Sequence, residues 1–252
     1  MDIKDPQDHP NYDPYAEGPL LQNQPMGIPA PQPDPNCLPG LEYLCRIDEL
    51  LIYQKEELLK DCSCFEISNK YEIKNSMGQR VYFAAEQNDC CTRYWCGSER
   101  PFTIAIIDNC GREVIRLTRP FRCSLCCFPG CQQKLEVQAP PGIIVGYVKE
   151  NCHLYLPRFT ILNGREKEVL KVHGPFCMYG CCSDVDFELK SLGDDVVGRI
   201  RKLSTGSTKE PLTDANKFEV QFPVELDVKM KACVLGACFL IDFMLYQKST
   251  EY

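Results

Sequence analysis

The stretch FTIAIIDNCGREVIRL (102–117) decides how the rest of the chain is read. Phe102, Ile104 and Ile106 alternate with smaller residues, Asp108-Asn-Cys-Gly111 supplies turn formers, and Val114, Ile115 and Leu117 bring the chain back. β-Branched and aromatic residues around an Asx/Gly turn predict an antiparallel hairpin. The same unit recurs at 71–83 around Asn75–Gly78, at 159–172 around Asn163-Gly164, and at 187–200 around Gly193. Many short antiparallel strands in one unit point to a mainly β chain, closed as a barrel or packed as a sandwich. The stretch before these units reads two ways. Leu41, Leu44, Ile47 and Leu51 suit one face of a short helix, and Leu50–Tyr53 suits a buried strand.

Outward from the hairpins, composition changes sharply. Residues 1–39 hold ten of the 19 prolines, with few large apolar side chains, which predicts a disordered polyproline-like tail. Such a tail suits proline-reading, SH3-like domains, or simply solubilises the chain. It carries six acids and one base of a chain with 35 acids and 28 bases, leaving 27 bases against 29 acids in the part from residue 40 to 252. That near-neutral balance argues against a general nucleic-acid binder. The N-terminus shows no apolar signal segment, so the 18 cysteines are expected to stay reduced rather than form a disulfide framework.

Near the other end, ACVLGACFLIDFMLY (232–246) breaks the β texture. Its ten uncharged residues Ala232–Ile241 are followed by Asp242 and then by apolar residues to Tyr246. A span needs about 20 largely apolar residues, so a buried helix and a membrane-inserted helix both remain open, the latter with Lys229 and Lys231 on the cytosolic side. An aspartate within such a span is costly and marks a functional path.

Catalytic signals are scarce. Three histidines are present (His9, His153, His173), and no nucleophile-elbow, zincin, P-loop or dinucleotide motif occurs, so no enzyme is expected. The cysteines cluster instead. Cys123, Cys126, Cys127 and Cys131 lie within nine residues flanked by Arg119, Arg122 and Lys134. They read as an S-acylated loop, as half of a zinc site completed by Cys181 and Cys182, or as buried thiols. Asp214, Asn216 and Glu225 fall at positions 1, 3 and 12 of an EF-hand-like spacing, but Phe218 and Phe222 occupy positions 5 and 9. Phe218, Val220 and Phe222 alternate like a strand, and a strand would spread those oxygens apart. Arg199, Arg201 and Lys202 concentrate three bases in four positions, as the solvated part of a hairpin or a contact for an import factor or nucleic acid.

The strings LPGLEYL (38–44), NKYEIKNSMGQRVYFAAE (69–86), QAPPG (138–142), DVDFELKSL (184–192), QFPVELDVKMKA (221–232) and GACFLIDFM (236–244) resemble the phospholipid scramblase family from about Leu38 onward. The resemblance implies a tubby-like fold, a single closed antiparallel barrel of about a dozen strands around the hydrophobic C-terminal helix. It divides the chain into a disordered tail, 1–39, and a barrel domain, 40–252. It also implies calcium-dependent, ATP-independent, bidirectional movement of phospholipids between leaflets, with binding of anionic lipid. The calcium segment of the family maps on to Asp214, Asn216, Phe218, Val220, Phe222 and Glu225, Asn216 replacing an acid. The family's palmitoylated run maps on to Cys126, Cys127 and Cys131, interrupted by Phe128 and Gly130. Its nuclear-import segment maps on to 198–207, where Leu203 and Ser204 replace a histidine and a tryptophan.

These readings converge on a calcium-responsive scramblase at the cytoplasmic face of the plasma membrane, tethered by palmitoyl chains. In its spanning version, the chain is single-pass with a short outer tail and Asp242 lines a polar path. The rivals are a lipid-tethered signalling adaptor that moves no lipid and a nuclear protein when not acylated. An oligomer is compatible with each.

Overall fold

Twelve antiparallel strands close on themselves around one helix. This is seen in a computed structural model, which describes residues 37–55, 69–87, 100–122, 132–153, 155–176, 184–204 and 216–247. A one-turn helix, α1 (Glu42–Cys45), precedes β1 (Glu49–Lys55), so the strand reading of 50–53 holds, while the helical reading survives only for one turn and Leu51 belongs to the strand. There follow β2 (Lys70–Lys74), β3 (Arg80–Gln87), β4 (Phe102–Asp108), β5 (Glu113–Arg119), β6 (Lys134–Gln138) and β7 (Ile144–Asn151). The barrel continues with β8 (Arg158–Asn163), β9 (Glu168–His173), β10 (Val185–Lys190), β11 (Val196–Leu203) and β12 (Lys217–Gln221). All four hairpins expected from the sequence are present. The β6–β7 pair was not expected: Lys134–Gln138 is short, and its partner is interrupted by Gly146.

Each strand from β2 to β12 pairs with its neighbours in chain order, and β1 closes the ring by pairing with both β2 and β12. Inward side chains meet in register around the wall: Ile52 opposes Ile73 and Phe218, Ile73 opposes Tyr82, Ile104 opposes Leu117, and Val148 opposes Ile161. Closure removes every sheet edge, and with it the unpaired N–H and C=O groups that invite aggregation.

The filling is α2 (Val228–Ile241), which ends in a π-helical turn, Asp242–Tyr246. Asp227 caps its start, the carboxylate accepting from the Lys229 amide at 2.8 Å. Every residue from Met230 to Phe243 is buried. A helix apolar all round has no solvent face to offer, which is why the segment lies inside the barrel. The spanning alternative therefore gives way to the buried one. Among the described residues, no helix is long and apolar enough to cross a membrane.

The meander gives the barrel two unlike ends. At the end where α2 begins, strands are joined by tight turns, 75–79, 109–112, 139–143, 164–167 and 191–195. The long connections all leave from the opposite end, where α2 finishes, at 56–69, 88–101, 120–133, 152–157, 174–184 and 204–216.

Candidate functional site

The barrel interior is apolar, and its polar chemistry is gathered at the two ends of α2. At the start of the helix, Lys231 is fully buried, and its ammonium donates to three carbonyl oxygens, of Leu44, Ile47 and Val224, at 2.8–2.9 Å. Three donors meeting three acceptors satisfy the charge in a dry site. Burial still pulls its pKa down. Lys231 therefore bolts the helix to α1 and to the β12–α2 turn, whereas the exposed Lys229 does not.

At the far end, Asp242 is 1% exposed and accepts from the Tyr71 hydroxyl at 2.9 Å and from the Asn216 amide at 3.0 Å. Gln247 donates to the same Tyr71 oxygen at 3.0 Å and accepts from Arg100 at 2.6 Å. Arg100 in turn pairs with the buried Glu86 at 3.1 Å, and Glu86 accepts from the Asn69 amide at 2.6 Å. Burial pushes the Asp242 carboxyl up to about 6, against the pull of its hydrogen bonds and of Lys202. The same burial, with Asp242 beside it, holds the Tyr71 hydroxyl well above its ordinary value, so Tyr71 remains a donor. This network stitches β2, β3, β12 and the approach to β4 to the end of the helix. The sequence reading missed Tyr71, Glu86, Arg100 and Gln247. A signal for Glu86 existed: it follows Tyr82 and Ala84 on the inward side of β3.

The expected calcium segment is divided by the strand it contains. Phe218, Val220 and Phe222 are buried in the core, and β12 is hydrogen-bonded to both β1 and β11. Asn216 sits at one end of β12, its amide on Asp242, and Glu225 is exposed past the other end. Five strand residues rise about 16 Å, far beyond the 2.3–2.6 Å reach of a calcium ligand. The described part of 214–225 therefore does not fit a single calcium cage, and Asp214 lies outside the described residues. Among the described residues, no three His, Cys, Asp or Glu side chains group as a metal site.

Arg199, Arg201 and Lys202 are split by the pleat of β11. Arg201 faces out and pairs with Asp186 at 2.6 Å, and Arg199 donates to Gln221 at 2.8 Å. Lys202 faces in, 4.4 Å over the Tyr246 ring. The expected acylation cysteines, Cys123, Cys126, Cys127 and Cys131, lie outside the described residues, as do Cys181 and Cys182. Cys233 and Cys238 of α2 are buried, and burial raises both thiols, which makes them inert packing groups.

Among the described residues, the barrel interior is filled by α2 and its polar ends are locked by hydrogen bonds. Comparison with known proteins accords with that architecture. A scramblase family model matches residues 28–248. Phospholipid scramblase 1 of Mus musculus is 59% identical over 223 residues, 88% of this chain and 68% of that protein. Phospholipid scramblase 2 of Bos taurus is 57% identical over 237 residues, 94% of this chain and 81% of the relative. Phospholipid scramblase family member 5 of Homo sapiens is 45% identical over 240 residues, 94% of this chain and 89% of its own length. No solved structure matches the chain. The chain belongs to the phospholipid scramblase family.

Proposed function

We propose that this chain moves phospholipids between the leaflets of a bilayer in both directions, without ATP and without a catalytic step, while tethered to the cytoplasmic face of the plasma membrane. The observation that carries the reading is identity of 57–59%, across most of the chain, to proteins named phospholipid scramblases. The filled interior supports a route for lipid outside the barrel rather than through it. Tethering belongs to Cys123, Cys126, Cys127 and Cys131. Several acyl chains, or one chain with the neighbouring bases, anchor firmly, where one chain alone is marginal.

The test is reconstitution of the purified full chain in vesicles carrying a labelled lipid, with leaflet exchange read by quenching of the outer label. Exchange above protein-free vesicles, unchanged by ATP, supports the reading, and none in any condition sinks it. Calcium dependence is implied by the resemblance and is tested on the same vesicles. Because Asn216 and Glu225 flank a barrel strand, Glu225→Ala is expected to leave any calcium-stimulated rate unchanged. In cells, replacing the four cysteines by Ala is expected to release the chain from the plasma membrane, and arrival in nuclei would support the import reading of 198–207.

The helix locked inside the barrel favours a second reading, a lipid-tethered adaptor that moves no lipid and presents its proline-rich tail to SH3-like domains. Tethered protein that exchanges no lipid in vesicles supports that reading.

A further inference from the structure

On the outer face of β8, β9 and β10 lies a groove of about 600 Å³ that the reading above does not use. The strand register builds it. Arg158 stands opposite His173, and Thr160 stands opposite Lys171, which stands opposite Lys190 on the next strand. Arg158, Lys171 and Lys190 thus share one patch, which the carboxylates of Glu168 and Asp194 also line. The carboxylates paired with two of these cations are solvent-exposed: Asp194 with Lys171 at 2.9 Å and Glu188 with Lys190 at 2.8 Å. The Arg158 Nε is buried and has no hydrogen-bond partner among the described residues. A buried N–H left unpaired is costly, so it marks a place where an acceptor belongs. His153 also lines the groove, and its Nδ1 accepts from the amides of Tyr155 and Leu156 at 3.3 and 3.0 Å. That leaves its ring proton on Nε2, as a further donor. Burial, and after it Arg158 and Lys190, pull the His173 pKa down against the opposing carboxylate of Asp194.

The second observation lies just beyond the groove, at the barrel end from which the long connections leave. Tyr155 and Phe176 are 67% and 78% exposed, with ring centroids 6.5 Å apart. Among the described residues nothing covers these two large aromatic rings, and aromatic side chains with one apolar face belong at a lipid–water interface. Arg158 and His173 lie within three residues of this pair. Cations that take a phosphate and rings that enter the acyl boundary are thus held side by side.

We propose that this end of the barrel docks on a membrane through Tyr155 and Phe176, and that the Arg158–Lys171–Lys190 groove receives the phosphate of an anionic lipid headgroup. The inference rests on the membrane role proposed above and places the headgroup contact on a particular face. A nucleic acid is the weaker fit, since the part from residue 40 onward is near neutral, with 27 bases against 29 acids.

The test is flotation of the full chain, made without acylation, with vesicles of phosphatidylcholine alone, with phosphatidylserine, or with phosphatidylinositol bisphosphate. Binding to the anionic vesicles that weakens with salt is expected. Arg158→Gln with Lys171→Gln should weaken it about fivefold for each cation removed. Tyr155→Ser with Phe176→Ser should weaken it on all vesicles. Arg112→Gln with Arg116→Gln, the same charge change on β5 and the turn before it, should leave it intact. Equal loss in that control overturns the groove as a site. Binding of free inositol hexakisphosphate, or of duplex DNA, in place of vesicles overturns the lipid assignment. Unchanged cooperative unfolding of each variant shows that the fold survives. Lipid exchange is read separately. A wild-type chain that exchanges lipid but binds no anionic vesicles, or groove variants that bind as the wild type does, refute the docking inference alone, and binding without exchange refutes the transport reading alone.

Discussion

Asp242 shows what burial does to a single carboxylate. It is held by Tyr71, Asn216 and Gln247 at the end of α2, yet burial raises its carboxyl to about 6 from an ordinary value near 3.8. The folded chain therefore binds this proton more tightly than the unfolded chain does. The associated stability is fully present below about pH 4 and is lost as pH rises through about 6, a difference on the order of 3 kcal/mol. Asp242→Asn keeps the shape and removes the titration. Its unfolding free energy, measured against wild type by urea titration, is expected to gain up to about 3 kcal/mol relative to wild type between pH 4 and 8. A gap that stays constant with pH would show that Asp242 ionises normally. Lys231 is the counterpart with its bonds complete: three carbonyls take its three donors.

β7 passes close against α2. Gly146 has no Cβ, and one placed there would lie 2.6 Å from the Cys233 sulfur and against the Leu162 carbonyl oxygen. The second neighbour is strand backbone, which cannot step aside. Gly146→Ala is expected to destabilise by about 1–3 kcal/mol, seen as a lower midpoint in thermal or urea unfolding, with no change in the exposed surface variants above. An unchanged midpoint would mean that the strand and helix separate more easily than the packing indicates. β12 shows the opposite balance between pattern and motif. Its oxygen spacing resembled a calcium loop, but the alternation of Phe218, Val220 and Phe222 decided the outcome. Three buried large apolar side chains and pairing on both strand edges outweigh two polar residues nine positions apart.

For the whole molecule, the helix is the core. Met230, Val234, Leu235, Phe239, Leu240, Ile241 and Phe243 are all buried inside the barrel. Releasing these seven side chains to water would cost about 10–20 kcal/mol, at or beyond the whole stability of a typical domain. A chain ending at Asp227 is therefore expected not to fold. Near-ultraviolet circular dichroism and urea titration should show no fixed tertiary packing and no cooperative transition. A cooperative transition in that truncation would show that the barrel stands hollow and that the helix is free to leave it. The same arithmetic constrains function: movement of lipid that required α2 to exit would have to recover that free energy from the bilayer.

The hairpins and the apolar character of 232–246 were legible in the sequence, because period-two alternation, turn chemistry and composition are local properties. The paired readings of 41–53 were also local, and a helix and a strand follow each other there. Whether 232–246 lay in a membrane or in a barrel was not local. Its lack of a polar face suits either medium, and only the closed wall of twelve strands supplied a protein interior of the right size. The partners of Asp242 and Lys231 were hidden for a similar reason. Tyr71 lies 171 residues from Asp242, and Leu44 lies 187 residues from Lys231. The groove of Arg158, Lys171 and Lys190 exists only through the register of three strands, which aligns on one outer face residues that the sequence leaves scattered.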